Sequence, residues 1–187
     1  MPLRLRAWPR PRYEPVMAED RPLDAEGLFR RLDALGIAYE NHTHPPVFTV
    51  EEAKALRGRL PGAHVKNLFL RDKKKRIWLV TALEEREIDL KALKRRLGAQ
   101  GSLSFGSPEL LQEVLGVRPG AVTPFGVVND RAGLASVVLD KGVLESAPVN
   151  AHPLRNDMTT AVSPDGLLRF LEAENHPPAL LDFSAAI

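Results

Sequence analysis

The sequence predicts a mixed α/β (α+β) single domain. Three observations predict it. Short stretches of strand-like alternation are interspersed with short amphipathic helices, neither segregated nor in strict βαβ order. The chain has 187 residues and 44% hydrophobic content, which suits one globular unit with a substantial core. Glycine, proline and helix-capping residues punctuate it at close intervals.

The elements follow in order. Residues 1–22 carry Pro2, Pro9, Pro11, Pro15 and Pro22 among arginines, and read as a flexible Arg/Pro-rich tail. Met17 is an alternative start. Residues 23–187 read as the domain. Asp24 can N-cap a helix with Leu28, Phe29, Leu32 and Leu35 inward, and Gly36 ends it. Ile37 to Thr43 reads as a strand and His44-Pro45-Pro46 as a rigid turn. Thr49-Val50-Glu51-Glu52 fits a capping box before a short helix. His64 to Arg71 and Arg76 to Ala82 form a β-hairpin around a basic turn. Asp89 to Leu97 is an amphipathic helix stopped by Gly98, and Ser102 to Phe105 is a short strand. Ser107-Pro108 opens a helix that Gly116 closes. The loop Val117 to Phe125 follows. Gly126 to Asn129, Ala135 to Leu139, Val149 to His152 and Thr159 to Val162 read as strands, with a turn at Asp140-Lys141-Gly142. Ser163-Pro164 caps a last helix bearing Leu167, Leu168, Phe170 and Leu171.

Composition narrows the chemistry. There are no cysteines, so disulfides, thiolate metal sites and a cysteine nucleophile are excluded. That fits a cytoplasmic location. No apolar run approaches the roughly 18 residues of a membrane span, and the N-terminus lacks the apolar segment of a signal peptide. No G-x-S-x-G elbow, P-loop or dinucleotide fingerprint occurs. His42 and His44 share a strand face, but no further ligands stand at metal-site spacing, so neither metal nor cofactor is expected.

The net charge is only +2, yet the cations cluster. Lys73, Lys74, Lys75 and Arg76 form one group, and Lys91, Lys94, Arg95 and Arg96 another. Such clusters bind phosphates without an extreme total charge, although each is also an ordinary solvated surface.

Lys66 is the most informative residue. It shares a strand face with Leu68 and Leu70, where an ammonium is costly without a partner. In isolation, a lysine snorkelling from the strand's start is the better explanation. Two further segments favour a pocket. Gly120-Ala121-Val122-Thr123-Pro124 is a Gly/Pro loop able to offer backbone N–H groups to a carbonyl or oxyanion. Asn150-Ala151-His152-Pro153 puts Asn150 and His152 on one face. His152 could orient a ligand, shuttle a proton or bond a carbonyl.

Together these segments resemble the YbaK-type aminoacyl-tRNA deacylase family, which includes the editing domain of bacterial prolyl-tRNA synthetases. The carriers are Phe48 to Ala53, His64 to Leu70, Gly120 to Pro124 and Asn150 to Pro153, the last continuing as Asn156-Asp157-Met158-Thr159-Thr160. The PrdX-type (ProXp-ala) branch is the most similar. The resemblance implies a central mixed sheet or partial barrel flanked by helices. It implies hydrolysis of the ester that joins a wrong amino acid to the tRNA 3′ adenosine, with alanyl-tRNA(Pro) the expected substrate. Cysteinyl-tRNA(Pro) is the alternative within the family, and a non-catalytic tRNA-binding module the alternative outside it. Lys66 would be the essential lysine and His152 would support the pocket. Residues 120–124 would hold the aminoacyl end, Asn150 would line the site, and Asn67 and Thr49 would contact the terminal nucleotide. The partners implied are the tRNA(Pro) acceptor stem and its aminoacyl-adenosine end, with prolyl-tRNA synthetase a further candidate. Lys73–Arg76, Lys91, Lys94 and Arg95 would meet the RNA phosphates. Neither DNA nor membrane is implied.

Overall fold

The computed structural model describes residues 22–45 and 60–184. The Arg/Pro-rich segment to residue 21, and Thr49 with its capping box, lie outside the described residues.

Local capping chemistry sets the helices. In α1 (Ala25–Ala34), the Asp24 carboxylate accepts from the Gly27 amide. In α2 (Leu90–Leu97), Asp89 caps the start and Gly98 closes the end at φ 60°. In α3 (Pro108–Leu115), Ser107 accepts from the Leu110 amide and Pro108 takes the first turn. The short α4 (Lys141–Leu144) is capped by Asp140, and α5 (Pro164–Ala173) by Ser163.

The strands are β1 (Tyr39–Thr43), β2 (Ala63–Arg71), β3 (Ile77–Leu83), β4 (Ser104–Phe105), β5 (Ala135–Asp140), β6 (Val149–Ala151), β7 (Met158–Val162) and β8 (Ala179–Leu181). They form one mixed sheet in the order β1-β7-β6-β2-β3-β5-β8, with β4 against β2. Helices pack on both sides, matching the expected class.

Two expectations are corrected. Residues Pro124–Asn129 form a 3-10 helix, where a strand was expected from Gly126 to Asn129. Thr123 caps that helix, Pro124 fits its first turn, and Phe125, Val127 and Val128 bury themselves beside α3 and α5. The Asp140-Lys141-Gly142 turn is the N-terminus of α4. Strand β8 was not expected from the sequence.

The faces of the sheet differ. The larger core includes Phe69, Leu79, Val137, Leu139 and Val149 with Leu28, Leu32, Leu115, Phe125, Leu167 and Phe170. The smaller core holds Leu70, Trp78, Val80 and Val138 with Leu93 of α2 and Phe183. Lys66 shares its strand face with Leu68 and Leu70, so it belongs to the side of the smaller core.

Candidate active site

Register assembles a polar floor on that side. His64 of β2 pairs with Asn150 of the parallel strand β6. Asn150 in turn pairs with Ala161 of β7. Paired residues share a face, and alternate residues along a strand share it too. His64, Lys66, Asn150, His152 and Thr159 therefore face one side, where β2, β6 and β7 adjoin. Lys66 is the fourth residue of β2, well inside the strand.

Lys66 is half-buried, and its ammonium donates to the Arg86 backbone carbonyl. An ammonium has three N–H donors, so two have no partner among the described residues. The turn carrying Arg86 is itself fixed. The Arg86 amide donates to the Leu83 carbonyl at 3.1 Å, and its Nε donates to Asp140 Oδ2 at 2.9 Å. Asp140 is fully buried. It also accepts from the Leu83 amide at 3.3 Å and the Gly142 amide at 3.0 Å.

Asn150 is 4% exposed. Its Nδ2 donates to the carbonyls of Pro61 at 2.9 Å and Ala63 at 3.2 Å, which fixes the orientation of the amide. Its Oδ1 is buried without a hydrogen-bond partner among the described residues. Asn150 thus ties the entry of β2 to β6.

His152 Nδ1 lies 3.0 Å from the Met158 carbonyl. A carbonyl only accepts, so Nδ1 carries the proton and Nε2 is the acceptor. Burial pushes the pKa of His152 down, against the opposing effect of that carbonyl. His152 is therefore a neutral imidazole at neutral pH. Nearby, His44 Nε2 meets Thr159 Oγ1 at 3.0 Å.

The glycine loop occupies the other face of β2. Asn67 points there, donating to the Val122 carbonyl at 3.0 Å and accepting from Thr81 Oγ1 at 2.7 Å. Gly120 is exposed at φ +89°, a conformation open chiefly to glycine. Ala121 is buried and donates its amide to the Arg118 carbonyl at 3.0 Å. Thr123 and Pro124 are buried, and the Thr123 hydroxyl accepts from the Phe125 amide at 3.3 Å. Asn67 is half-buried, with its amide bonded to Val122 and Thr81, while Thr123 and Pro124 lie inside the fold. Gly120 and half-buried Val122 are the reachable part of the loop. A cleft of about 730 Å³ lies beside it, lined by Leu23, Arg118, Pro119, Leu154, Arg155 and Asn156 among others. The segment from Asn150 to Asp157 thus runs from the polar floor to this cleft.

The two basic clusters meet. The Lys73 amide donates to the Gln100 carbonyl at 3.1 Å, and Arg76 Nη2 donates to the Gly98 carbonyl at 2.7 Å. The tip of the hairpin and the end of α2 therefore form one surface. Arg76 is largely spent within it, paired with Asp72 at 2.8 Å and stacked 5.1 Å over Trp78. Lys73, Lys74, Lys75, Lys91 and Arg95 are exposed, and Lys94 is half-buried. Sequence reasoning missed Arg86, Asp140 and Thr159. The strand alternation, the Asn150–His152 spacing and the family resemblance were the signals for Lys66, Asn150 and His152.

A family model described as "Aminoacyl-tRNA editing domain" matches residues 44–170. The chain belongs to the aminoacyl-tRNA editing family. The prolyl-tRNA synthetase associated domain-containing protein 1 of Mus musculus is 42% identical over 160 residues, covering 83% of this chain and 94% of that protein. The prolyl-tRNA editing protein ProX of Acetoanaerobium sticklandii is 38% identical over 152 residues, covering 81% of this chain and 92% of that one. A crystal structure of a proposed trans-editing enzyme for prolyl-tRNA synthetase shares the fold at TM-score 0.66 and 23% identity, covering 84% of this chain and 94% of that one. Among the described residues, no helix of this family member is long and apolar enough to cross a membrane.

Proposed function

We propose that this protein is a trans-acting deacylase that hydrolyses alanyl-tRNA(Pro) without a metal, in the cytoplasm. The observation that carries the reading is the half-buried Lys66 ammonium on a polar floor shared with Asn150 and His152. Membership of the editing family supplies the substrate class. ProX, whose name is that of a prolyl-tRNA editing protein, supports proline as the identity of the tRNA.

The chemistry asks little of the protein. An aminoacyl ester is already activated. Water attacks the aminoacyl carbonyl carbon, the bond from that carbon to the ribose oxygen breaks, and the leaving oxygen takes up a proton. Holding the ester and stabilising the developing charge supply the acceleration. Lys66 has two N–H donors left for that oxyanion or for a phosphate of the 3′ end. Neutral His152 offers Nε2 as an acceptor to a substrate hydroxyl or amine. The surface of Lys73–Lys75, Lys91, Lys94 and Arg95 meets phosphates of the acceptor stem.

The preference for alanine has a physical ground. A site for proline rejects a smaller residue by only about 1–3 kcal/mol per missing methylene, so a second, smaller site must remove what slips through. The test is deacylation of alanyl-, cysteinyl-, seryl- and prolyl-tRNA(Pro) by wild type and Lys66→Ala, with EDTA controls. Selective EDTA-resistant loss of the alanyl ester, abolished in Lys66→Ala, is expected. Faster turnover of the cysteinyl ester would move the protein to the other branch. Equal hydrolysis of prolyl-tRNA would overturn the size argument.

A further inference from the structure

The contact between Lys66 and a backbone carbonyl raises a question. A main-chain oxygen on a turn is a poor fixed point unless the turn is held. Here it is held by a side chain reaching away from the site.

Residues 84–89 link β3 to α2. Arg86 sends its backbone carbonyl to the Lys66 ammonium and its guanidinium to Asp140. Asp140 closes β5 and is completely buried, so it does not move with the surface. Its second oxygen accepts from the Gly142 amide, and the oxygen facing Arg86 also takes the Leu83 amide. One carboxylate thus fixes the last residue of β3, the first turn of α4 and the turn between β3 and α2.

Gly142 bears on the same point. A Cβ built at Gly142 would lie 2.5 Å from Arg86 Nη2 and 2.9 Å from Leu83 Cδ1. Its backbone is not in the left-handed region, so no turn requires glycine here. What the missing side chain provides is passage for the guanidinium to Asp140.

We propose that Arg86 is a positioning residue of the deacylase site: its ion pair with buried Asp140, admitted by Gly142, fixes the backbone carbonyl that aims the Lys66 ammonium at the aminoacyl ester. This rests on the reading of Lys66 given above. The brace adds no group to the reaction. It restricts an otherwise mobile four-carbon side chain to one direction, which reduces the ordering left to be done in the transition state. Losing it lowers kcat and leaves KM for the tRNA nearly unchanged, because the Arg86 guanidinium is turned to Asp140 and away from the ester.

The experiment compares wild type, Lys66→Ala, Arg86→Ala, Arg86→Lys and Gly142→Ala with alanyl-tRNA(Pro), below the melting temperature of each. Trace labelling with an amine-reactive acylating reagent, read by mass spectrometry, reports the accessibility of Lys66 against the other lysines. The expected result is a fall in kcat of about tenfold or more for Arg86→Ala, with KM within about twofold. Gly142→Ala keeps both charges and should lose several-fold. Arg86→Lys should recover part of the loss. Labelling of Lys66 alone should rise in Arg86→Ala and Gly142→Ala. A merely structural role would lower Tm without changing that selective labelling. Unchanged kcat in Arg86→Ala and Gly142→Ala beside an inactive Lys66→Ala overturns the brace and leaves the role of Lys66 standing. Full activity of Lys66→Ala overturns both. Should Arg86→Ala fail to fold, Gly142→Ala decides.

Discussion

Strand β5 is held at each end by a buried aspartate, and the two ends differ in one partner. Asp130, just before the strand, accepts from the amides of Leu134 at 2.9 Å and Ala135 at 2.7 Å, and pairs with His176 at 3.0 Å. Asp140, the last residue of the strand, accepts from two amides and pairs with Arg86 at 2.9 Å. Both carboxylates are nearly or wholly shielded from water. Each does what an isolated buried charge cannot, exchanging hydration for two amides and a cation. Yet one cation is a histidine, which can lose its proton, and the other an arginine, which does not. Moreover, Arg86 continues to Lys66, whereas His176 turns back to the carbonyl of Glu174 at 2.7 Å. The same device serves architecture alone at one end of the strand, and architecture plus the site at the other.

Removing each carboxylate breaks the comparison most forcibly. Asp130→Ala strands a buried histidine and two amides, at a cost of about 3 kcal/mol. For a chain of this size that lowers Tm by roughly 6–12 °C, read by circular dichroism. Its kcat at low temperature should match wild type. Asp140→Ala should also melt early, but with kcat reduced about as in Arg86→Ala. Equal kcat in both variants would mean that the two ends are equivalent.

pH separates the ends more gently. Hydrogen bonding to Asp130 raises the pKa of His176 despite burial. The stability it contributes is therefore complete below its unfolded value of about 6.5, and is lost as pH rises through the higher folded value. Burial opposes ionisation of Asp130, but the bonds from His176, Ala135 and Leu134 prevail and lower its pKa. Its contribution is present above about 3.9 and is lost as pH falls through the folded value. Urea unfolding at a series of pH values should show an alkaline decline that His176→Gln removes. The Arg86 pair should add no such limb, since hydrogen bonding to Asp140 raises a pKa that is already high.

The smallest effect lies on the surface. Lys94→Glu with Arg95→Glu should raise KM several-fold and leave kcat alone. The salt dependence of KM should flatten by about one unit for each phosphate no longer neutralised. Unchanged KM would remove α2 from the RNA footprint and leave only the hairpin tip.

Legibility in the sequence follows the range of the interactions. Asp24, Ser107-Pro108 and Ser163-Pro164 announced their helices because a cap bonds an amide two or three residues away. The 3-10 helix was misread because Phe125-Gly126-Val127-Val128 is an apolar run without clear period, although Thr123-Pro124 carried a start signal. β8 escaped because three residues after Pro177-Pro178 become a strand only through β5. Alternation placed Lys66 and the pair Asn150 and His152 on faces of their own strands. That those faces coincide depends on the parallel register of β2 and β6, which no local pattern encodes. Arg86 and Asp140 stand 54 positions apart and left no trace in either segment.

That parallel register also has a consequence for synthesis. The floor needs β2, complete by Arg71, and β6 with β7, which begin only at Val149. A chain growing from its N-terminus therefore carries Lys66 for a long stretch of translation without β6 and β7 to complete the floor. Non-local pairings close late because their loop entropy must be met first. A chain that ends before Val149 therefore carries Lys66 on β2 without the strands that bring Asn150, His152 and Thr159 beside it.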